Sequence, residues 1–259
     1  MPIPSPDDLR RIAIDVATDA AAFVADERAS GRWFATTDTK STPTDMVTAV
    51  DKASEARIVA ALQARRPDDG VVAEEGSASV SATGVTWVID PIDGTTNFVY
   101  GYPATAVSVA AVDDDNGSIA GAVVDIGRGE VFSAARGAGA WRDDHEMTLP
   151  GGPADISLAL IGTGFSYHRE MRVQQAAVMA RLLPVVRDMR RGGSAALDLC
   201  WAAAGRTDGY YERGTAPWDR AAGLLIAHEA GLRGDVDGDL VWVAHPRIAD
   251  DLLALITSP

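Results

Sequence analysis

The stretch WVIDPIDGTTNF, from Trp87 to Phe98, constrains the fold more than any other part of the chain. Val85–Ile89 reads as a buried strand, because its apolar run is short and closes on a turn signal. Asp90 and Asp93 follow it, three residues apart around Pro91. Two carboxylates this close repel each other unless a cation or a proton stands between them. A chain that runs a buried strand straight into such a pair has to end that strand where the charge is answered.

Two further acidic groups are placed in the same way. Glu74-Glu75 follows an expected strand at Val71–Ala73, and Asp219 opens an expected helix after Pro217-Trp218. Singly, each has an ordinary explanation. Asp-Pro and Asp-Gly are turn dipeptides, Asp219 is a first-turn acid, and Glu74-Glu75 is a solvated loop. Together they occupy element ends, where side chains from distant segments converge. Glu74, Asp90, Asp93 and Asp219 are hard oxygen donors that suit Mg²⁺ or Mn²⁺ rather than zinc, with the Ile92 carbonyl as a further candidate. Gly94-Thr95 at a helix start offers backbone N–H groups and the positive end of the helix dipole, which suit a phosphate. Metal ions beside a phosphate point to phosphoryl hydrolysis by a metal-activated water.

Along the rest of the chain, Ser5-Pro6-Asp7-Asp8 reads as a helix start. Leu9, Ile12, Val16, Ala20 and Phe23 then share one helical face, and Gly31 ends the run. A second helix carries Val47, Val50, Ile58 and Leu62 and stops before Pro67. From Ala104 the period becomes alternating. TAVSVAAV and IAGAVVDI flank an Asn116-Gly117 turn signal and predict a hairpin, and EVFSAA extends the sheet. Leu149–Pro153 is the candidate boundary. Beyond it we expect a strand over Ile156–Ile161 and a short one over Gly209–Tyr211. Helices are expected over Glu170–Val186, Ala195–Ala204, Ala216–Glu229 and Pro246–Ile256. This is an α+β pattern, antiparallel first and alternating afterwards.

Composition narrows the partners. A formal charge of −14 argues against a surface that holds nucleic acid or anionic lipid, apart from a local patch at Arg187, Arg190 and Arg191. No apolar run is long enough for a bilayer span, and the start lacks the order of a secretory signal. A soluble cytoplasmic protein is the simplest expectation, with a small phosphate ester as its partner and neither nucleic acid nor membrane bound directly. The single cysteine, Cys200, lies among apolar helical residues and reads as core. The four histidines show no metalloprotease spacing, and DVDGDL lacks the closing Glu of a calcium loop, so it reads as a turn. GGSAA, without a following Lys, reads as a helix cap rather than a P-loop.

The same segments resemble a known family. WVIDPIDGTTNF, AEEG upstream and WDRAAGLLIAHEAG downstream resemble signatures of the inositol monophosphatase family, and RRGGSAALDLC and GYYERG resemble its bacterial branch. The resemblance implies the layered α-β-α-β-α sandwich shared with fructose-1,6-bisphosphatases. It implies an N-terminal half, 1–150, with most metal ligands, and a C-terminal half, 151–259, with Asp219 and the substrate pocket. Two to three Mg²⁺ ions per subunit are implied, or Mn²⁺. Glu74, Asp90 and the Ile92 carbonyl would hold the first ion, and Asp90, Asp93 and Asp219 the second. A third would sit near Glu74. Thr95, hydrogen-bonded to Asp51, would orient the attacking water, making Thr95, Asp51 and Glu74 the catalytic set. Gly94 and Thr95 would hold the phosphate. Asp93, Ala195, Glu212 and Asp219 would meet substrate hydroxyls, with Gly193 and Ser194 shaping the wall. Lys40 lies where the family often has a lysine.

The implied activity is Mg²⁺-dependent hydrolysis of myo-inositol monophosphate by a lithium-sensitive homodimer. The alternatives are a related sugar, histidinol or nucleotide phosphatase on the same scaffold, or a regulatory binding protein of the transcription machinery. Glu212 favours a polyol, since an acid accepts hydroxyl bonds and repels additional phosphates. One segment departs from the family pattern: the run after Gly231 is shorter than usual, which puts the edge of the second sheet in question.

Overall fold

Ser5 starts the first helix by accepting a hydrogen bond from the Asp8 amide, and Gly31, at φ +69°, ends it in the left-handed conformation. This helix, α1 (Pro6–Ser30), buries Leu9, Ala13, Val16, Ala20 and Val24 along one stripe. The computed structural model describes residues 4–31, 38–39, 46–113, 117–149 and 151–258. Lys40 and the turn residues 114–116 lie outside them. Strands β1 (Asp38–Thr39) and β2 (Met46–Val47) pair, and α2 (Ala49–Arg65) follows, stopping before Pro67; Val47, expected in this helix, lies in β2 instead, because Thr48 caps the helix after it.

An eight-stranded sheet comes next in the chain. Its strands are β3 (Gly70–Ala73), β4 (Ala78–Ser79), β5 (Thr86–Asp93), β6 (Ala106–Val112), β7 (Ser118–Asp125), β8 (Glu130–Ala135), β9 (Gly139–Arg142) and β10 (His145–Glu146). The short helix α3 (Thr95–Tyr100) leaves the end of β5. The sheet order is β10-β9-β8-β7-β6-β5-β3-β4. Strands β6 and β7 pair antiparallel, with Ala111 opposite Ala120 and Ala106 opposite Asp125. The sheet is not wholly antiparallel, because β3 runs parallel to β5.

The second half begins with a 3₁₀ turn over Ile156–Leu158, where a strand was expected. Asp155 caps that turn by accepting from the Ser157 amide, and the strand β11 starts only at Leu160 and runs to Thr163. Helix α4 (Arg169–Leu182) stops four residues short of the expected Val186: Leu183 still has helical dihedrals and donates to the Met179 carbonyl, but Pro184 has no N–H to extend the ladder. Then come β12 (Asp188–Arg190), α5 (Ala195–Ala203), β13 (Gly209–Arg213), α6 (Pro217–Glu229), β14 (Arg233–Asp237), β15 (Leu240–Ala244) and α7 (Ala249–Thr257). The sheet order is β12-β11-β13-β15-β14. The edge in question is therefore present: β14 and β15 form a hairpin turned by Gly238 at φ +61°.

The layers follow from which faces are apolar. Val107, Val109 and Ala111 of β6 pack with Val16 and Ala20 of α1 and Ile58 of α2. Ala106 and Ala110, on the opposite face, pack with Leu197 and Leu199 of α5 and Ala222 and Ile226 of α6. Tyr210, Val241 and Val243 of the second sheet close that middle cluster. The outer face of the second sheet packs Ile161 and Trp242 against Leu182 of α4 and Leu252 of α7. The result is the α-β-α-β-α sandwich. Each fully buried Val, Leu or Ile stabilises by roughly 1.5–3 kcal/mol, so the sheet buried on both faces anchors the molecule. Small residues let the middle layer close up: a Cβ on Gly121 would lie 2.9 Å from Ala222 Cβ, and one on Gly223 would lie 2.9 Å from Leu199 Cβ.

Candidate active site

Strand β5 is longer than its apolar run suggested and carries both aspartates within it. In a regular strand, residues three apart point to opposite faces. Here Asp90 pairs with Ser108 and Asp93 with Ala106, so three steps on β5 match two on β6. This bulge at Pro91-Ile92 re-aims the strand end, and both acids line one cleft of about 280 Å³. Ile92 donates its N–H to Asp90 Oδ1 at 3.0 Å and buries its side chain against Val24, Val50 and Phe98. The Ile92 backbone thereby stays at the cleft.

Gly94 links β5 to α3 at φ +92°. A Cβ there would lie 2.9 Å from the Ala104 carbonyl oxygen and 3.1 Å from that of Gly193, so only glycine fits. Asn97 fastens the same corner, donating to the Ala104 and Gly192 carbonyls at 2.8 and 2.9 Å. Thr95 Oγ1 lies 2.9 Å from Asp51 Oδ1 and 3.1 Å from the Ile92 carbonyl oxygen. Asp51 itself is fixed by the α2 cap, its Oδ2 accepting from the Thr48 amide and hydroxyl at 2.8 and 2.6 Å.

Glu74 follows β3 and faces the same cleft. From the second half, Asp219 sits in the first turn of α6 and accepts from the Ala216 amide at 2.6 Å. Glu212 follows the buried residues Gly209–Tyr211 of β13 and accepts from the Tyr210 hydroxyl. Gly193 and Ala195 line the cleft. Ser194 holds Asp93, donating from its hydroxyl to Asp93 Oδ2 at 2.7 Å.

Burial and mutual repulsion dominate the electrostatics. Desolvation raises Asp90 well above the usual carboxyl range, and the charges of Glu74, Asp93 and Asp219 raise it further. Asp93 is pushed up to about 7 by burial, against the bonds from Ser194 and Ala196. Asp219 reaches about 8 through burial and the Asp93 charge. Glu212 reaches about 7 through burial, held down by the Tyr210 bond and Arg191 and pushed up by Asp219. Asp51 is raised by desolvation, against its hydrogen bonds to Thr48 and Thr95. Among the described residues, no three acidic, histidine or cysteine side chains form a closed metal-binding group. The acids stand around an open cleft, so the match to a hard cation rests on donor chemistry rather than on a finished cage.

Several residues of the site were not evident in the sequence. Asp198 is buried in α5, raised by desolvation and by the charges of Glu212 and Asp93. It stood within the apolar string AALDLC and read as a helix interior. Arg191 lines the cleft, although its neighbourhood read as a surface patch. The loop after β11 brings Tyr167 and His168 to the cleft, with Tyr167 Oη 3.3 Å from Thr96 Oγ1. No periodicity marks that loop. The Gly192-Gly193 pair is the one legible signal, since glycine is the default residue where a backbone must approach a neighbour or ligand closely.

Comparison with known proteins gives a consistent picture. The sequence profile of the inositol monophosphatase family matches residues 5–249. The chain is 47% identical to an inositol-1-monophosphatase of Mycobacterium leprae, across 99% of this chain and 96% of that protein. It is 41% identical to the Nus factor SuhB of Pasteurella multocida, over 84% of each. The solved structure of Mycobacterium tuberculosis SuhB matches with a TM-score of 0.86 at 45% identity, covering 98% of this chain and 97% of that one. With this much of the chain matched and the acids gathered at one cleft, the protein belongs to the inositol monophosphatase family and is a phosphatase.

Proposed function

We propose that the protein hydrolyses myo-inositol monophosphate to inositol and phosphate with the help of divalent cations. The observation that carries this reading is the meeting of Glu74, Asp90, Asp93 and Asp219 in one cleft with Thr95 and Glu212. Four acids around one cleft, Asp90 and Asp93 buried and Glu74 and Asp219 half-buried, fit a hard cation, Mg²⁺ or Mn²⁺, better than they fit each other. Glu74, Asp90 and the Ile92 carbonyl would hold one ion, Asp90, Asp93 and Asp219 a second, and a third would sit near Glu74. When bound, such ions neutralise the phosphate and acidify a coordinated water.

The chain's own groups supply positioning. With its proton directed to Asp51 Oδ1, Thr95 Oγ1 keeps lone pairs to accept a hydrogen bond from the attacking water and turn that water's own lone pair toward phosphorus. The Gly94 and Thr95 amides donate to phosphate oxygens at the head of α3. Glu212 accepts from ring hydroxyls, and its anchorage to Tyr210 fixes the angle at which it does so. Asp93, Asp219 and the Ala195 backbone meet neighbouring hydroxyls, while Gly193 and Ser194 shape the wall. Phosphate release from a panel of inositol phosphates, histidinol phosphate, fructose bisphosphate and phosphoadenosine phosphate with Mg²⁺ tests the assignment. Preference for a substrate without a polyol ring would overturn it.

A second reading has one observation in its favour, the name Nus factor borne by a 41% identical relative. Under it the chain also binds a component of the transcription machinery, as a homodimer or as separate subunits. The net charge of −14 argues for a protein partner rather than RNA. Pull-down with purified transcription components, alongside the phosphatase assay, separates the two readings.

A further inference from the structure

Three side chains leave one face of α2 within about one helical turn, and each bonds a different segment of the cleft. Asp51 Oδ1 accepts from Thr95 Oγ1 at 2.9 Å, at the start of α3. Ser54 Oγ donates to the Pro91 carbonyl at 3.1 Å, between Asp90 and Asp93. Glu55 Oε2 accepts from the Glu75 amide at 2.6 Å and Oε1 from the Ser77 amide at 2.9 Å, in the loop that begins with Glu74. All three side chains are buried, Glu55 to 3% exposure, and Glu55 does not line the cleft. Positions 51, 54 and 55 share one helical face because they are three and four residues apart.

We propose that Glu55 is a positioning residue for cation binding: through the Glu75 and Ser77 amides it fixes the backbone that carries Glu74, and so sets where Glu74 stands against Asp90. This rests on the divalent-cation reading above. A deeply buried acid is costly to keep without a specific use, and the two donors it satisfies are backbone groups of the turn that presents Glu74. Ser54 and Asp51 do the equivalent for the end of β5 and the start of α3. Helix α2 thereby acts as one rigid rod to which the three cleft segments are tied. A glutamine at position 55 would turn an NH₂ toward a backbone N–H and leave one amide unsatisfied.

The test is calorimetric titration of the full chain with Mg²⁺, comparing wild type, Glu55→Gln and Asp69→Asn. Asp69 is a comparably buried acid at the far end of β3, accepting from Arg66, Thr83 and Trp87. Glu55→Gln should raise the Mg²⁺ Kd about 10- to 100-fold, the usual effect of removing a group that orients a ligand. The kcat at saturating Mg²⁺ should change little. Asp69→Asn should lower Tm and leave the Kd unmoved. Equal rises in Kd for both variants, or an unchanged Kd for Glu55→Gln, would overturn the proposal. A wild-type chain that binds no Mg²⁺ would instead overturn this inference and the cation reading together. Hydrogen exchange of the wild type gives a check that needs no variant. The Glu75 and Ser77 amides should be protected, and more so with Mg²⁺; free exchange of either would also overturn it.

Discussion

Asp93, at the end of a strand in the first half, caps a helix of the second: its Oδ2 accepts from Ser194 Oγ and from the Ala196 amide, each at 2.7 Å. One carboxylate oxygen thus joins the two sheets through the head of α5, and Ser194 also caps α5 through the Leu197 amide at 3.3 Å. Ser194→Ala should destabilise the fold by roughly 1–2 kcal/mol, the usual cost of a lost cap and a charged hydrogen bond. It should also weaken Mg²⁺ binding, because Asp93 loses a fixed bearing. Urea unfolding with a parallel Mg²⁺ titration checks both effects, and loss of stability with unaltered Mg²⁺ binding would separate the cap from the cation site.

Metal-free protein should become less stable as pH rises. Asp93 and Glu212 titrate at about 7 and Asp219 at about 8 in the fold. Unfolded carboxyls titrate near 4. Between these limits the native chain binds more protons than the unfolded one, so the slope of stability with pH is negative. Surface acids with lowered pKa, such as Asp19 beside Arg57 and Asp250 beside Arg233, lose their contribution only at more acidic pH. Tm in EDTA should therefore fall from about pH 5 to about pH 9. Excess Mg²⁺ should flatten or reverse the trend, since ligands bind metal in their ionised form and binding stabilises the native state. A Tm that rises with pH in EDTA would show that these acids are ionised without a cation.

Asp90→Asn should abolish nearly all phosphate release at saturating Mg²⁺. The metal-free fold should keep its Tm or gain a little, because a buried carboxyl that desolvation and the charges of Glu74, Asp93 and Asp219 oppose in its ionised form is replaced by a neutral amide of the same shape. Scanning calorimetry and a phosphate assay on the same sample decide it. Substantial turnover in this variant would remove Asp90 from the mechanism.

Glu212→Gln keeps the shape and removes the charge. KM for inositol monophosphate should rise about tenfold, the equivalent of 1.4 kcal/mol from a charge-assisted hydrogen bond. A small phosphate ester without ring hydroxyls should be nearly unaffected. Gly164→Ala offers an independent route to the same result, since a Cβ there would meet the Glu212 carboxylate and displace it. If both substrates weaken equally in either variant, Glu212 is not the polyol contact.

Local chemistry made much of this fold legible. The caps of α1 are written in Ser5 and Gly31, and alternation marks β6 and β7, because these signals act within a few residues. Strand β12 escaped notice because it is a three-residue edge element whose outer positions, Asp188 and Arg190, are exposed. The apolar spacing of α4 continues past Pro184 to Val186, but the missing proline N–H ends the helix at Leu182. In the site, Glu74, Asp90, Asp93 and Asp219 stood out because acids at element ends are conspicuous. Asp198 and Glu55 did not, because an acid inside a helix gains its meaning only from what packs against it. Glu55 meets a loop 20 residues away, and no pattern along α2 announces that contact.

The close approach of Gly121 to Ala222 sets how near the first sheet lies to the helix layer, and that of Gly223 to Leu199 sets how near α6 lies to α5 within it. Asp90 and Asp93 hang from one side of that layer, Asp219 is borne by it, and Glu212 comes from the sheet beyond. The span across the cleft is therefore gauged from inside the molecule, like a gap set by shims. A single methyl group deep in the middle layer can alter the fit of a substrate it never touches. Variation among small residues there offers a lineage a way to retune selectivity while every residue that faces the ligand stays the same.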